Sequence, residues 1–264
     1  MDSVRDIYEY LNYLAPASLK MDFDNVGLLV GSSDETVETC LVALDITDDV
    51  ISEAICCSAQ LIVSHHPIIF NSIKNVTSDD LVGRKIINLI KNDISAICMH
   101  TNLDITEGGV NDALMAALSI NRQGYLEATG IDENGTIVGC GRIGELDNDM
   151  AFTEFLATCK KALGANGLRY HYAGKQVKKV AVMGGAGGSS LIDAVSAGCD
   201  TYVTADIKYN TFLDAKELGI NLIDADHFCT ENVIVPVIAE KLKSKFPMTK
   251  FIISKTHTQT AQFY

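Results

Sequence analysis

Leu41-Val-Ala-Leu-Asp-Ile-Thr-Asp-Asp-Val-Ile-Ser-Glu-Ala-Ile-Cys-Cys-Ser-Ala-Gln-Leu-Ile-Val-Ser-His-His66 reads as strand, helix, strand. The short apolar runs Leu41–Leu44 and Leu61–Ser64 flank a helical pattern over Asp48–Ser58. A strand–helix–strand unit of this length implies parallel β with a covering helix, and so an α/β fold. The same pattern returns without a gap in Ala181–Asp206, at an offset of 140 (181 − 41). Val42 then meets Val182, Glu53 meets Asp193, Ala54 meets Ala194, Val63 meets Val203 and Ser64 meets Thr204. The expectation is two similar lobes from an internal duplication, each with a largely parallel or mixed sheet and covering helices.

Working outward, an amphipathic helix with Val4, Ile7, Leu11 and Leu14 on one face follows Met1-Asp2-Ser3, and Leu28–Val30 reads as a strand. Asp79–Asn92 and Val110–Leu118 read as helices around a strand at Ser95–Met99. The stretch Gly124–Gly167 is less regular: Val138–Gly144 suggests an edge or bulged strand, and Phe152–Leu163 a helix. Strands at Val180–Met183 and Ile220–Asp224 and a helix over Val233–Leu242 complete the pattern. The lobes are expected at 1–123 and 124–264, with the chain intertwined between them.

Three apolar strands end in residues that bind divalent metals. Leu61-Ile-Val-Ser leads into His65-His66-Pro67; Ile94–Met99 leads into His100-Thr-Asn-Leu-Asp104; Ile220–Asp224 leads, two residues on, into His227-Phe-Cys-Thr-Glu231. Four of the six histidines are in this set. Groups beyond the C-terminal ends of parallel strands are where such sheets place function. In a His-x-x-x-acid segment, one helical turn brings both groups to one side, whereas an extended strand would separate them by about 13 Å. Each segment is therefore expected to turn directly after its histidine. Neighbouring strand residues point to opposite faces, so His65 and His66 are expected to splay, giving one imidazole to each of two ions. Mixed imidazole and carboxylate donors suit Zn, Mn, Fe, Co or Ni better than Ca. Glu231 is long enough to bridge two ions, and the Thr230-Glu231 step is expected to open the helix through Val233–Leu242. The metal site is expected between the lobes.

Other features are less decisive. Gly184-Gly-Ala-Gly-Gly-Ser-Ser190 lies between a strand and a helix and reads either as a phosphate cradle or as a tight glycine turn. Lys208 is a further candidate for meeting phosphate. Asp22-Phe-Asp-Asn-Val-Gly27 reads as a turn or as a segment reaching the site. Asp45, at the position equivalent to Gly185, is a candidate for supporting a histidine. Cys229 could approach a metal. His171 sits between two tyrosines and reads as packing or surface, and His257 could line a pocket.

Composition narrows the classes. A chain of 264 residues that is 47% hydrophobic can bury a large core. Its net charge of −13 argues against a nucleic-acid-coating surface, and it gives an incoming nucleotide an unfavourable overall field. Cys40, Cys98 and Cys140 sit in or beside apolar runs and Cys56-Cys57 in a helical pattern, and none of the eight cysteines forms a CxxC pair, as expected of reduced thiols packed as small hydrophobes. With no secretory signal or membrane-length apolar run, a cytoplasmic protein is expected.

The motifs Asp24-Asn-Val-Gly-Leu-Leu-Val-Gly31, Ser64-His-His-Pro-Ile-Ile-Phe70, His100-Thr-Asn-Leu-Asp104, Gly108-Gly-Val-Asn-Asp112 and Asp226-His-Phe-Cys-Thr-Glu231 resemble those of the GTP cyclohydrolase I type 2, or Nif-three-like, family, in family order. The resemblance implies a two-lobed α/β fold, two divalent metal ions per subunit and a ring-shaped homohexamer. It implies the compact form, without the inserted domain of some relatives. By this resemblance His65, His66, Asp104, His227 and Glu231 are metal ligands, and His100 is a ligand or a nearby acid or base; His100 and Glu231 are the candidate catalytic residues. The activity implied is metal-dependent hydrolysis of a small-molecule substrate, a nucleotide such as GTP, with opening of the guanine imidazole ring at C8. The alternatives are a metal-binding regulatory or chaperone-like protein without turnover, and a metal-dependent phosphoesterase.

Overall fold

The computed structural model describes residues 2–131, 135 and 137–264. Met1 and residues 132–134 and 136 of the irregular middle stretch lie outside the described residues. The elements begin with α1 (Val4–Leu14), β1 (Gly27–Val30), β2 (Thr39–Ala43), α2 (Asp48–Cys56), β3 (Leu61–Ser64), α3 (Leu81–Lys91), β4 (Ser95–Cys98), α4 (Thr101–Ile105) and α5 (Val110–Ala117). They continue with β5 (Asn121–Ile131), β6 (Ile137–Met150), α6 (Phe152–Ala162), β7 (Arg169–His171), β8 (Val177–Val182), α7 (Leu191–Ser196), β9 (Thr201–Thr204) and α8 (Tyr209–Leu218). The last are β10 (Asn221–Asp224), α9 (His227–Glu231), α10 (Ile234–Lys245) and β11 (Lys250–Ile253). Among the described residues no helix is long and apolar enough to cross a membrane.

The helices begin where the sequence supplies caps. Ser3 caps α1 in a reciprocal capping box with Asp6, and Thr47 and Asp80 cap α2 and α3 through their side chains. Pro236 stands in the first turn of α10, where its missing N–H costs nothing. Helices α2, α3 and α5 are each followed closely by a left-handed residue, Ser58, Asp93 and Ser119, which reverses the chain.

The chain divides into two compact units: Met1–Thr106 with Val235–Thr258, and Glu107–Ile234 with Gln259–Tyr264. The sequence division after residue 123 falls within β5. In the first unit the sheet order is β1-β4-β3-β2-β11; β4, β3, β2 and β11 are parallel and β1 is an antiparallel edge. The segment Val235–Thr258 belongs here because β11 extends the sheet beside β2, with Phe251 opposite Cys40 and Ile253 opposite Val42. Leu41, Ala43, Ile62 and Ala96 from the strands pack with Val50, Ile51 and Ala54 of α2 and Ile86 and Leu89 of α3.

In the second unit the order is β5-β6-β8-β9-β10-β7, with β8, β9 and β10 parallel. Alternate strand residues feed two cores, as a sheet covered on both faces requires. Val180, Val182, Val203 and Ile223 pack with α5 and α6, and Ala181, Tyr202 and Leu222 with α7 and α8. The edge reading of Val138–Gly144 is corrected: β6 lies between β5 and β8, because its length lets it pair on both sides. The bulge reading is corrected too: the pairing slips twice, but the extra residues lie between Arg122 and Gly124 and between Ala128 and Gly130 of β5, while Val138–Gly144 runs without an insertion.

The repeat read from the sequence is present in the registers. Val42 pairs with Val63 in β2–β3, and their counterparts at +140, Val182 and Val203, pair in β8–β9. One strand further the offset becomes 126: Val63 faces Ile97, and Val203 faces Ile223. The histidines stand 127 apart (227 − 100), so the second unit has one extra residue between strand end and histidine. That stretch includes Asp226, held at φ +71.

Candidate functional site

In the first unit β3 ends at Ser64, and the amides of His65 and His66 both donate to the Leu44 carbonyl, at 3.1 and 2.9 Å. The chain has left the pleat at this point, so strand alternation no longer applies. This corrects the expectation that the two rings splay: their centroids are 4.9 Å apart, and those of His100 lie 5.2 and 5.4 Å from them. His65, His66 and His100 each offer a ring nitrogen within 4.8 Å of the others, close enough to hold a metal ion.

His100 follows β4, and the chain turns at once into α4, as its His-x-x-x-acid spacing requires. Asp104 lies on that turn, with Oδ1 3.7 Å from His65 Nε2. Each imidazole of the cluster is fixed through Nδ1. His65 Nδ1 lies 2.9 Å from the Met99 carbonyl, His66 Nδ1 2.8 Å from Asp45 Oδ1, and His100 Nδ1 2.7 Å from Asp24 Oδ1. Carbonyl and carboxylate oxygens accept here, so Nδ1 carries the proton and Nε2 keeps its lone pair, the arrangement that orients a metal-binding histidine.

Asp45 acts as the sequence reading proposed, and its second oxygen lies 2.8 Å from His257 Nε2. Burial pushes the Asp45 carboxyl up, but hydrogen bonds from His257 and His66 more than offset it and hold the group well below its ordinary value. Asp24 is the part of Asp22–Gly27 that reaches the site. It is buried and also accepts from the Thr101 amide at 2.9 Å and hydroxyl at 2.5 Å. Burial raises its pKa, while His100 and Thr101 lower it further than burial raises it. The Cys98 thiol, beneath the cluster, donates to the His65 carbonyl at 2.9 Å; burial pushes its pKa well up.

In the second unit His227 opens α9 and Glu231 closes it, with His227 Nε2 3.0 Å from Glu231 Oε2. This corrects the expectation that Glu231 opens the following helix. Asn232 and Val233 separate α9 from α10, and Glu231 sits one turn after His227 on a five-residue helix. His227 Nδ1 lies 2.7 Å from Asp206 Oδ2. Asp206, at φ +53, was not singled out by the sequence reading. It was visible there only as the residue aligned with His66.

The glycine loop makes room for Glu231. A Cβ on Gly185, at φ +66, would lie 2.2 Å from Glu231 Oε1 and 3.2 Å from His227 Nε2. Its amides are used internally: Gly184 donates to Asn111 Oδ1, Gly185 to Thr230 Oγ1 and Gly187 to Thr204 Oγ1. The turn reading therefore describes Gly184–Gly187 better than a phosphate cradle does. Cys229 is buried, and burial pushes its thiol up to about 12. His171 lies on β7 opposite Leu222, away from the histidine–carboxylate pairs of its unit.

The family model described as Duf34/NIF3 (NGG1p interacting factor 3) matches residues 2–260. The chain belongs to this family. A relative from Clostridium perfringens, named GTP cyclohydrolase 1 type 2 homolog, is 38% identical over 98% of this chain and 99% of its own. A Bacillus subtilis relative of the same name is 26% identical over an alignment of 366 positions, so it carries residues that this compact Duf34/NIF3 chain lacks. Among solved structures, a Bacillus cereus protein related to NIF3 superposes with a TM-score of 0.93 over the whole of both chains, at 26% identity. Reduced HcgD from Methanocaldococcus jannaschii superposes at 0.81 with 30% identity, over 96% of this chain and 98% of its own.

Proposed function

We propose that this Duf34/NIF3 protein is a divalent-metal-dependent hydrolase acting on a small-molecule substrate, a nucleotide such as GTP. His65, His66 and Asp104 of the first unit and His227 and Glu231 of the second would be ligands of two ions per subunit, drawn from Zn, Mn, Fe, Co or Ni, and His100 a ligand or a nearby acid or base. The observation that carries this reading is the set of four imidazoles tied at Nδ1 to Met99, Asp45, Asp24 and Asp206. That many histidines oriented the same way by oxygen acceptors is what a metal site needs and a packed core does not. The donor set also fits: nitrogen with carboxylate oxygen is the ligation of first-row transition ions. The names of the relatives support the nucleotide substrate, and family resemblance supports a homohexamer in the cytoplasm.

When bound, such ions supply a water made acidic near neutral pH and a Lewis acid for the substrate. The residues of the chain do the rest. Asp24 fixes His100 and, by accepting from Thr101, pins the first turn of the helix that carries Asp104. His100 Nε2 is then placed either to join the ligands or, left unligated, to give or take a proton. Gly185 lets Glu231 approach the backbone and keeps its carboxylate beside His227. On GTP the overall change is hydrolytic opening of the imidazole ring at C8, with loss of formate.

The test is GTP turnover by metal-loaded protein beside Glu231→Ala. Formate or a ring-opened product from the wild type alone supports the reading. Equal turnover by the variant, with no metal bound, sinks it.

A further inference from the structure

We propose that a cavity in the second unit, distinct from the histidine–carboxylate pair, seats the sugar phosphate of the substrate, the phosphate at Lys208 and the sugar hydroxyls at Asp214. The cavity is about 450 Å³ and is lined by residues of the segments Ala186–Ile192 and Asp206–Asp214. That volume is within the range of small-molecule sites, roughly 300–1,000 Å³.

Its lining divides into two kinds of group. The first kind is Lys208 with the hydroxyl-bearing Ser189 and Thr211. Lys208 is also the N-cap residue of α8, a ten-residue helix whose first turn has no side-chain cap and no acidic residue. The positive end of the helix dipole therefore adds to the lysine charge. Thr211 is the independent sign of a ligand. It is only 8% exposed and lines the cavity, and its hydroxyl makes no hydrogen bond among the described residues. The hydroxyl is not among the enclosed polar atoms, so it is open to an occupant of the cavity it lines.

The second kind is acidic, Asp206 and Asp214. A bare phosphate would be repelled by both. A sugar phosphate satisfies both kinds of group, because sugar hydroxyls donate to carboxylates, as a ribose does to the acidic residue of a dinucleotide site. Lys208 and Asp214 form no ion pair among the described residues, so both remain available. Asp206 lines the cavity and also orients His227. The occupant is thus next to the group that positions a candidate ligand.

The proposal rests on the hydrolase reading for its choice of a nucleotide, but its test reads binding alone. Ribose 5-phosphate, ribose and inorganic phosphate are titrated calorimetrically into the full-length metal-loaded protein and into Lys208→Met and Thr211→Val. The expected result is saturable binding of ribose 5-phosphate, at least about tenfold tighter than either part alone, because both sets of groups are engaged together. Lys208→Met should weaken it by about tenfold through loss of a charge-assisted hydrogen bond, and Thr211→Val should also weaken it, with metal content unchanged in both. No saturable binding, equal affinity for inorganic phosphate, or unchanged affinity in Lys208→Met would each overturn the proposal. Absence of GTP turnover would overturn the hydrolase reading and leave the binding result standing.

Discussion

Asp206 accepts a hydrogen bond from Nδ1 of His227 at 2.7 Å, repeating in the second unit what Asp45 does for His66 at 2.8 Å in the first. In both units the carboxylate follows one strand of a parallel pair and the imidazole follows the next, 21 residues on. The repeat has nevertheless shifted by one strand. The Asp45–His66 pair spans β2 and β3, whereas Asp206–His227 spans β9 and β10. At +140, the position of His66 holds Asp206, so a place that supplies an imidazole in one unit supplies the orienting acid in the other.

Removing that acid should loosen metal without unfolding the protein. Asp206→Asn keeps the shape but replaces a carboxylate with an amide, and loss of such a partner lowers metal affinity by roughly 10–100-fold. Metal titration against a competing chelator reads the change, while the urea midpoint stays near wild type because Asp206 is exposed. Unchanged affinity would show that His227 takes no part in ligation.

Gly185→Ala and Gly164→Ala separate backbone strain from crowding. Both glycines have left-handed backbones, at φ +66 and +63, but a Cβ on Gly164 meets nothing within 4 Å. Gly164→Ala should cost only the strain, about 1–2 kcal/mol. Gly185→Ala should cost more and also displace Glu231, lowering metal affinity where Gly164→Ala does not. Equal effects on metal binding would refute the role given to the glycine loop.

Asp112 and Arg142 form a charge pair in the second unit, with Arg142 fully buried and contacts of 3.0 and 2.9 Å. Asp112→Ala should destabilise by about 3–5 kcal/mol, because it leaves a buried guanidinium without its carboxylate. The double variant Asp112→Ala/Arg142→Met should be less harmful than the single one. Chemical denaturation compares the two.

Acid stability should depend on Glu107. The hydrogen bond from Arg122 lowers its pKa most; burial opposes this, and Tyr125 adds to the lowering, leaving it at about 2 against an ordinary 4.5. A folded-state pKa below the unfolded one gives stability that is complete above the unfolded value and is lost as pH falls through the folded value. Wild type should therefore lose stability between about pH 4.5 and 2 more steeply than Glu107→Gln, read as urea midpoints across that window. Parallel curves would show that the pair contributes nothing, as exposed ion pairs often do.

Much of the architecture was legible because its signals are local. Apolar runs of four residues marked β3 and β4, and the His-x-x-x-acid spacing required the turns that became α4 and α9. The middle stretch was harder. β6 is flanked on both sides, and nothing in its own residues announces a partner as distant as β8. The placement of β11 was hidden for the same reason, since a strand near the C-terminus joins β2 through pairing that no local pattern encodes.

By itself the sequence determined the types of donor, their positions at strand ends and the turn after each histidine, because these depend on neighbours a few residues away. Tertiary structure decided which oxygen holds which imidazole: Asp24 and His100 are 76 residues apart, and Asp45 and His257 are 212 apart. It also decided that His65 and His66 lie side by side, because both amides turn toward the Leu44 carbonyl from the neighbouring strand. Hydrogen bonds between distant segments are fixed only when the sheets close, and the orientation of a metal-binding histidine depends on them.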